Sequence, residues 1–422
     1  MEPQLLSQNE NSDRDSYSDM DDSNEFRVVT LNVWCLPQPW PIGSKDRRYR
    51  LQKLSDHFNI EPYDVIGLQE IWGAEDYNFL VEKLSDVYPY HHYFHSGWTG
   101  SGVCVFSRHK IVSTLTHRYS LNGFAHHIHR GDWFGGKIIG MVELEYKEKR
   151  INFYTTHLHA EYDRENDLYL PHRTSQAFEL SQFVRHTCSG ADMTVVCGDF
   201  NLEPEDLGFR IILSQAKLRD AWRMSHEPLP DDECHSLTSC RGIPKGGTCD
   251  RPDNCYTSLL LRDKDESKRI DYILFKSGKT NVTLEECEIT LNKIPSETIN
   301  YSDHVGLHAR FTFKEEIRQQ SISWEPNRPL LIEAIGIVAG GQRRARKDRM
   351  IFGFAALLLV LLLLITLLLD DLSWYLSIVF AFVKFGITVA AVFCAWHGVI
   401  GLTLERKALK ASKQSMEQQL ND

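Results

Sequence analysis

Val195-Val196-Cys197-Gly198-Asp199-Phe200-Asn201 runs a short apolar strand straight into two polar residues. Val195 and Val196 read as the end of a buried strand, and Gly198 as the point where the backbone turns. Asp199 and Asn201 stand at i and i+2, so in extended geometry both side chains point to one face. One supplies an anionic oxygen and the other an amide that donates and accepts. That pair suits a strand-end site handling a phosphate and a hydrated metal. Gly-Asp-x-Asn is an ordinary turn former by itself, so the weight comes from its company. Asn32, Glu70, His157, Asp271, Asp303 and His304 each sit at the end of, or just past, a short apolar strand.

Those strands alternate with helices. Phe26–Leu31 delivers Asn32 and Trp34. Residues 47–59 carry Tyr49, Leu51, Leu54 and Phe58 at helical spacing. The strand Tyr63–Leu68 leads to Glu70, and Ala74–Leu84 reads as helix. Further strands are expected at 103–106, 112–119, 137–146 and 151–156, the last ending in Thr156-His157-Leu158-His159. Between two of them lies Gly131-Asp132-Trp133-Phe134-Gly135-Gly136-Lys137, whose glycines allow close backbone approach and whose Lys137 has the reach for a phosphate. A helix through Tyr169, His172 and Phe183 precedes the central stretch. Arg269–Phe275 is a strand with Asp271 inside it, and a buried acid there needs a partner, most economically a protonated histidine. Tyr301-Ser302-Asp303-His304 leads into the last strand, 305–313.

Charge is unevenly spread. The chain of 422 residues has 47 basic and 57 acidic side chains, yet ten basic and six acidic residues follow from Arg343 onward. Residues 1–25 hold eight acids against one arginine and read as a disordered acidic tail. The body, 26–342, is therefore net acidic, a poor duplex binder, and no nucleic-acid partner is expected. Ten cysteines are scattered without a zinc spacing. Cys234, Cys240, Cys249 and Cys255 fall in a Pro-, Gly- and Asp-rich insertion, 226–268. With no secretory-type opening, reduced thiols in a cytosolic catalytic domain are expected, and the sequons at Asn281 and Asn300 would go unused.

The C-terminal part announces a membrane. Residues 351–369 are apolar apart from Thr366 and Gly353, and 372–402 form a second span joined to the first through Asp370-Asp371. Basic clusters flank both ends, at 343–349 and 406–413, so both flanks are expected in the cytosol and only the turn on the far side. The linker 316–350 contains an apolar run, 329–338, that suits the membrane surface, and 403–422 reads as a cytosolic tail. Removal of 343–422 is expected to leave a foldable domain.

The ordered series Asn32, Glu70, His157, Asp199-x-Asn201, Asp271, Asp303-His304 resembles the endonuclease/exonuclease/phosphatase superfamily. Gly100-Ser-Gly-Val-Cys-Val-Phe-Ser107, Leu121-Asn-Gly123, Gly131-Asp-Trp-Phe134, Thr156-His-Leu-His-Ala-Glu-Tyr162, Cys197-Gly-Asp-Phe-Asn201 with Pro204-Glu-Asp-Leu-Gly208, and the membrane hairpin are similar to the magnesium-dependent neutral sphingomyelinases over about residues 26–402. The resemblance implies an α/β, deoxyribonuclease I-like four-layer β-sandwich with helices on both outer faces, plus the two-helix hairpin. It implies phospholipase C-type hydrolysis of membrane sphingomyelin to ceramide and phosphocholine. It puts Mg²⁺ on Glu70 with Asn32 beside it, makes His304 the general base with Asp303 or Asp271 orienting it, and gives Asn201 and His157 to the phosphate. Asp199 stays open as the base. It also implies an integral protein of endomembranes or the plasma membrane.

Rival readings share the fold. A nuclease would want a basic face and has no need of the hairpin. An inositol polyphosphate phosphatase would want Trp-Cys-Asp-Arg where this chain has Arg269-Ile-Asp-Tyr. Lysophospholipids share headgroup and phosphate with sphingomyelin and stay open as substrates.

Overall fold

Both faces of the first strand are apolar, and this decides the layering. In the computed structural model, which describes residues 24–38, 43–127, 129–226, 246–263, 266–317, 325–368 and 374–421, β1 is Glu25–Cys35. Val28 joins a core between two sheets, while its neighbour Val29 joins a second core under helices. A strand buried on both sides must lie in a middle layer.

The chain order continues α1 (Arg47–Ile60), β2 (Val65–Ile71), α2 (Ala74–Leu84), β3 (Tyr90–Tyr93), β4 (Cys104–Ser107), β5 (Lys110–Arg118), β6 (Ile138–Tyr146) and β7 (Lys149–His157). Then come α3 (Leu170–Thr187), β8 (Met193–Asp199), α4 (Leu207–Ala216), β9 (Arg219–Asp220), α5 (Ala221–His226) and α6 (Leu259–Arg262). The domain closes with β10 (Asp271–Ser277), β11 (Thr280–Thr290) and β12 (Gly306–Ile317). One sheet has the order β11-β12-β1-β2-β4-β3, the other β5-β6-β7-β8-β10-β9. Phe153, Val195, Cys197 and Phe275 of the second sheet face Val28, Val105 and Phe311 of the first. Leu51, Leu54 and Phe58 of α1 with Leu80 and Leu84 of α2 cover one outer face. Leu180 and Val184 of α3 with Phe209 and Ile212 of α4 cover the other. This is the expected four-layer sandwich with helices outside both sheets.

Three helices follow: α7 (Arg328–Thr366), α8 (Trp374–Trp396) and, after a π turn at His397–Gly401, α9 (Leu402–Asn421). Two of these stretches are long and apolar enough to cross a membrane, with Phe354, Leu361, Phe382 and Phe385 exposed. Here the structure departs from the expected boundaries. The linker and the first span are one unbroken helix of 39 residues. The apolar run at 329–338 does not lie on a bilayer: Leu330, Leu331, Ala334 and Val338 are buried against Phe178, Leu207 and Ile211, together with Leu409 and Met416 of α9. The tail after the hairpin is thus part of the catalytic domain's packing. Residues 1–23 of the acidic tail, the turn at Asp370-Asp371 and the insertion residues Cys234 and Cys240 lie outside the described residues, whereas Glu25, expected in the tail, opens β1, and Cys249 and Cys255 carry free thiols.

Candidate active site

Strand register gathers the polar residues at one end of the sandwich. Parallel pairing of β7 with β8 sets His157 opposite Asp199, and antiparallel pairing of β10 with β8 sets Asp271 opposite the same residue. In the other sheet, parallel pairing of β1 with β2 sets Asn32 opposite Gln69, one residue from Glu70. A cleft of about 590 Å³ opens there, lined by Glu70, His157, Asp199, Asn201 and His304 among others.

Gly198 is needed for this convergence. Its φ is +132°, and a Cβ there would stand 2.0 Å from Thr156 O. The strand therefore continues through Gly198 to Asp199, and the turn comes after it. Asn201 has φ +48°, so the expected extended i, i+2 geometry does not hold. Its backbone N–H instead donates to Asp199 Oδ1 at 2.9 Å, and its Nδ2 donates to Leu158 O at 3.0 Å. Glu70 lies inside β2, not past it, at φ +63°, and Trp34 is at φ +50°. Left-handed backbone at three non-glycine residues around one cleft marks strain held by the surrounding fold.

Asn32 Nδ2 donates to Glu70 Oε1 and to Asp199 Oδ2, each at 3.0 Å, and Asn32 Oδ1 accepts from Trp34 N–H at 3.0 Å. Asn32 thus turns nitrogen toward Glu70. In this arrangement its amide joins the two carboxylates. Burial and then the nearby Asp303 carboxylate raise Glu70's affinity for a proton. Hard oxygen donors crowded with like charge fit a divalent cation, which relieves the repulsion. Two groups bring their ligating atoms within 4.8 Å of one another: Glu70, His157 and Asp199, and Asp199, Asp271 and His304.

His304 Nδ1 is 2.8 Å from Asp271 Oδ2. Burial opposes charge on the ring, yet Asp271 and Cys249 beside it carry His304 well above its ordinary range. Asp303 accepts from Ser302 Oγ at 3.2 Å, so Asp271 is the acid that contacts the histidine. Burial, then repulsion from Asp271, pushes Asp199 up to about 7. His157 Nε2 is 3.4 Å from Asp199 Oδ2. Burial, then the Lys137 ammonium, holds the His157 ring well below its usual range.

Lys137 does not reach into the cleft. It is buried, donates from Nζ to Leu158 O at 2.9 Å and pairs with Asp132 Oδ1 at 2.9 Å. Asp132 is the wall residue that the sequence reading passed over. It also accepts from Ala160 N–H and Tyr162 OH. Burial works against its charge, but Lys137 and His159 hold its carboxyl far below the usual range. Arg50 was also missed, because an arginine on a helix looks solvated. It is buried and donates to Val33 O, Trp34 O and Tyr301 O, tying the strand end that carries Asn32 to the loop that carries Asp303. Thr248 Oγ1 accepts from Asp271 N–H at 3.1 Å.

Residues 29–304 match the model of the endonuclease/exonuclease/phosphatase family. A Caenorhabditis elegans chain provisionally named neutral sphingomyelinase is 64% identical over 403 residues, 95% of this chain and 92% of that one. Human sphingomyelin phosphodiesterase 2 is 38% identical over 303 residues, 71% of this chain and 68% of that one. Among solved structures, beta toxin from Staphylococcus aureus shares the fold with a TM-score of 0.52 at 17% identity, over 67% of this chain and 99% of that one. The chain belongs to the endonuclease/exonuclease/phosphatase family, in its neutral sphingomyelinase branch.

Proposed function

We propose that this chain is a phosphodiesterase that hydrolyses sphingomyelin to ceramide and phosphocholine, with Mg²⁺ as its cation. The observation that carries the reading is the meeting of Glu70, braced by Asn32, with the Asp271–His304 pair across one cleft. Its relatives named for sphingomyelin support the substrate.

Glu70 would hold the cation, whose positive charge would offset the phosphate oxygens and lower the proton affinity of the nearby His304. His304 takes the proton of the attacking water as the water oxygen bonds to phosphorus, the ceramide O–P bond breaks, and the ceramide oxygen leaves and picks up a proton from solvent. Asp271 fixes the ring by its Nδ1 and stabilises the imidazolium that forms. Asp199 is the weaker choice of base. Its Oδ1 is held by Asn201 N–H, and its Oδ2 faces Asn32 Nδ2 and His157, so it reads as the organiser of the site. Asn201 spends one amide hydrogen on Leu158 O and keeps the second for a nonbridging oxygen. His157 is adjacent to that oxygen, neutral, with its Nε2 turned to Asp199.

The catalytic domain belongs on the cytosolic side, in endomembranes or the plasma membrane. The basic flanks of the hairpin and the free cysteines support this. Asn300 is buried and bonded to Asn292 and Cys255 N–H, so Asn281 is the sequon that reports the topology. Protease added to sealed microsomes should digest the domain, and a glycan on Asn281 would reverse the topology.

The activity is tested with a panel of choline sphingolipids, lysolipids, inositol phosphates and abasic DNA, each with Mg²⁺ and with chelator. Release of phosphocholine from sphingomyelin, lost in chelator, is expected. Preference for lysolipids would keep the chemistry and change the substrate, and turnover of DNA alone would overturn the reading.

A further inference from the structure

A second cavity, about 690 Å³, lies between the catalytic domain and the base of the membrane helices. One wall is Trp396, His397, Gly401 and Leu404, from the end of α8 through the π turn to the start of α9. The opposite wall is aromatic, with Trp98, Trp133 and Phe134. Trp98, Phe134 and Gly135 also line the catalytic cleft. The two spaces are therefore neighbours across a single rim.

That rim is built to keep its place. Thr99 N–H donates to Phe134 O, and Gly136 N–H donates to Gly100 O at 2.9 Å. Gly97 and Gly136 are so close that a Cβ on either would meet the other's backbone at 2.4 Å or less. Asn122 Nδ2 bonds the carbonyls of Asp132 and Gly135. The Trp98 and Phe134 rings are 6.2 Å apart, yet Trp98 is 86% exposed. A large indole held out on a braced rim, lining the same cavity as Trp396 at the end of an apolar helix, matches the aromatic belt at a membrane–water interface. The loop is also locked to the helices from below. His126 Nδ1 and His397 Nε2 are 3.0 Å apart, Arg344 lies over the Phe124 ring at 4.4 Å, and His172 meets Glu405 at 3.3 Å.

From this continuity we infer that the second cavity takes the hydrocarbon chains of the membrane lipid whose headgroup lies in the catalytic cleft, the lipid bending over the Trp98–Phe134 rim. This rests on the proposed lipid phosphodiesterase reading and names where the rest of that substrate goes. The lipid enters sideways from the leaflet, so its chains stay covered by the rim and the helix base while its phosphate reaches His304. A cleft with no such neighbour would have to lift both chains into water against the hydrophobic effect.

The test uses the full chain in vesicles. Trp133 and Leu404 line the second cavity and not the cleft, and Leu404 is 62% exposed, so Leu404→Arg leaves the core intact. Turnover is measured on long-chain sphingomyelin in vesicles and on a water-soluble chromogenic phosphocholine ester. For Leu404→Arg and Trp133→Ala combined, the ratio of vesicle to soluble turnover should fall tenfold or more. An unchanged ratio would overturn the inference, whether both activities fell together or neither moved. A sphingomyelin with a photoreactive chain end should label the 118–125 or 396–404 segments, and labelling confined to the outer faces of the 351–366 helix would also overturn it. If the wild-type chain cleaves neither choline ester, the proposed function itself fails, an outcome separate from both.

Discussion

Asp271 and His304 meet at 2.8 Å across the two sheets of the sandwich: Asp271 opens β10 of one sheet, and His304 leads into β12 of the other. Asn32 and Asp199 make a second bridge of the same kind at 3.0 Å. The site is therefore a clasp between layers, and its geometry depends on how the sheets stack.

Asp271→Asn keeps the shape of the buried side chain but removes the charge behind His304. Turnover should fall about 10²–10⁴-fold, the usual span for a general acid–base group, while the melting temperature changes little. Asp303→Asn should cost much less, because that carboxylate meets Ser302 and not the ring. Steady-state kinetics on both variants, with circular dichroism melts, checks the contrast.

Glu70→Gln should raise the Mg²⁺ concentration for half-maximal activity by about tenfold or more, in line with the loss of a carboxylate from a hard-cation site. Asn32→Ala should shift the same midpoint less, since Asn32 braces Glu70 with its nitrogen. Titration of activity against free Mg²⁺, paired with calorimetry of metal binding, measures both.

Asp132→Ala strands the Lys137 ammonium, whose side chain is fully buried. Removing one partner of a buried pair costs about 3–5 kcal/mol. The variant should melt well below the parent at neutral pH. The difference should narrow in acid. Asp132's folded-state pKa is depressed, so its contribution is full above the unfolded-state pKa and is lost as pH falls toward the folded value. Lys137→Met with Asp132→Ala should recover much of the loss, and urea titrations of the detergent-solubilised chains check it.

Truncation at residue 343 should give an unstable domain, against the sequence-based expectation. It strips Leu409 and Met416 from the cluster that covers Phe178, Leu207 and Ile211, each buried aliphatic side chain being worth about 1.5–3 kcal/mol. Excision of 353–396 with a short Gly/Ser joint should succeed instead. A Cβ on Gly398 would lie 3.2 Å from Phe352 Cβ and 3.6 Å from Arg349 O, so the chain leaves and returns at one place. Soluble yield and melting temperature of the truncated and the excised chains, compared side by side, decide it.

Strand ends were legible because apolar runs stop where polar residues begin; of the residues that rule picks out, Glu70, His157, Asp199 and His304 line the cleft, and Asn32 and Asp271 are buried behind it, bonded to Glu70 and His304. Their local geometry was less legible. Left-handed backbone at Glu70 and Asn201 leaves no trace in a pattern that assumes extended chain. Lys137 was read as a phosphate ligand because reach is a property of one residue, whereas its engagement by Asp132 is a property of two. β11 (Thr280–Thr290) escaped notice because its exposed edge mixes Glu and Thr with few apolar residues. The apolar face of 329–338 offered equal fits to a lipid surface and to α3 and α4, and only the fold tells which neighbour is nearer.

The unbroken run of α7 has a mechanical consequence. Its 39 residues span about 58 Å at 1.5 Å each, from the cluster under α3 and α4 out through the apolar stretch. With its apolar stretch in a bilayer, a stiff mast of this kind would fix the height and tilt of the cleft, where a loose tether would let it swing. Helices respond to a bilayer thicker or thinner than their apolar length by changing tilt. In this chain a change of tilt is handed directly to the catalytic cleft. Turnover measured in vesicles of graded acyl-chain length would then vary with bilayer thickness.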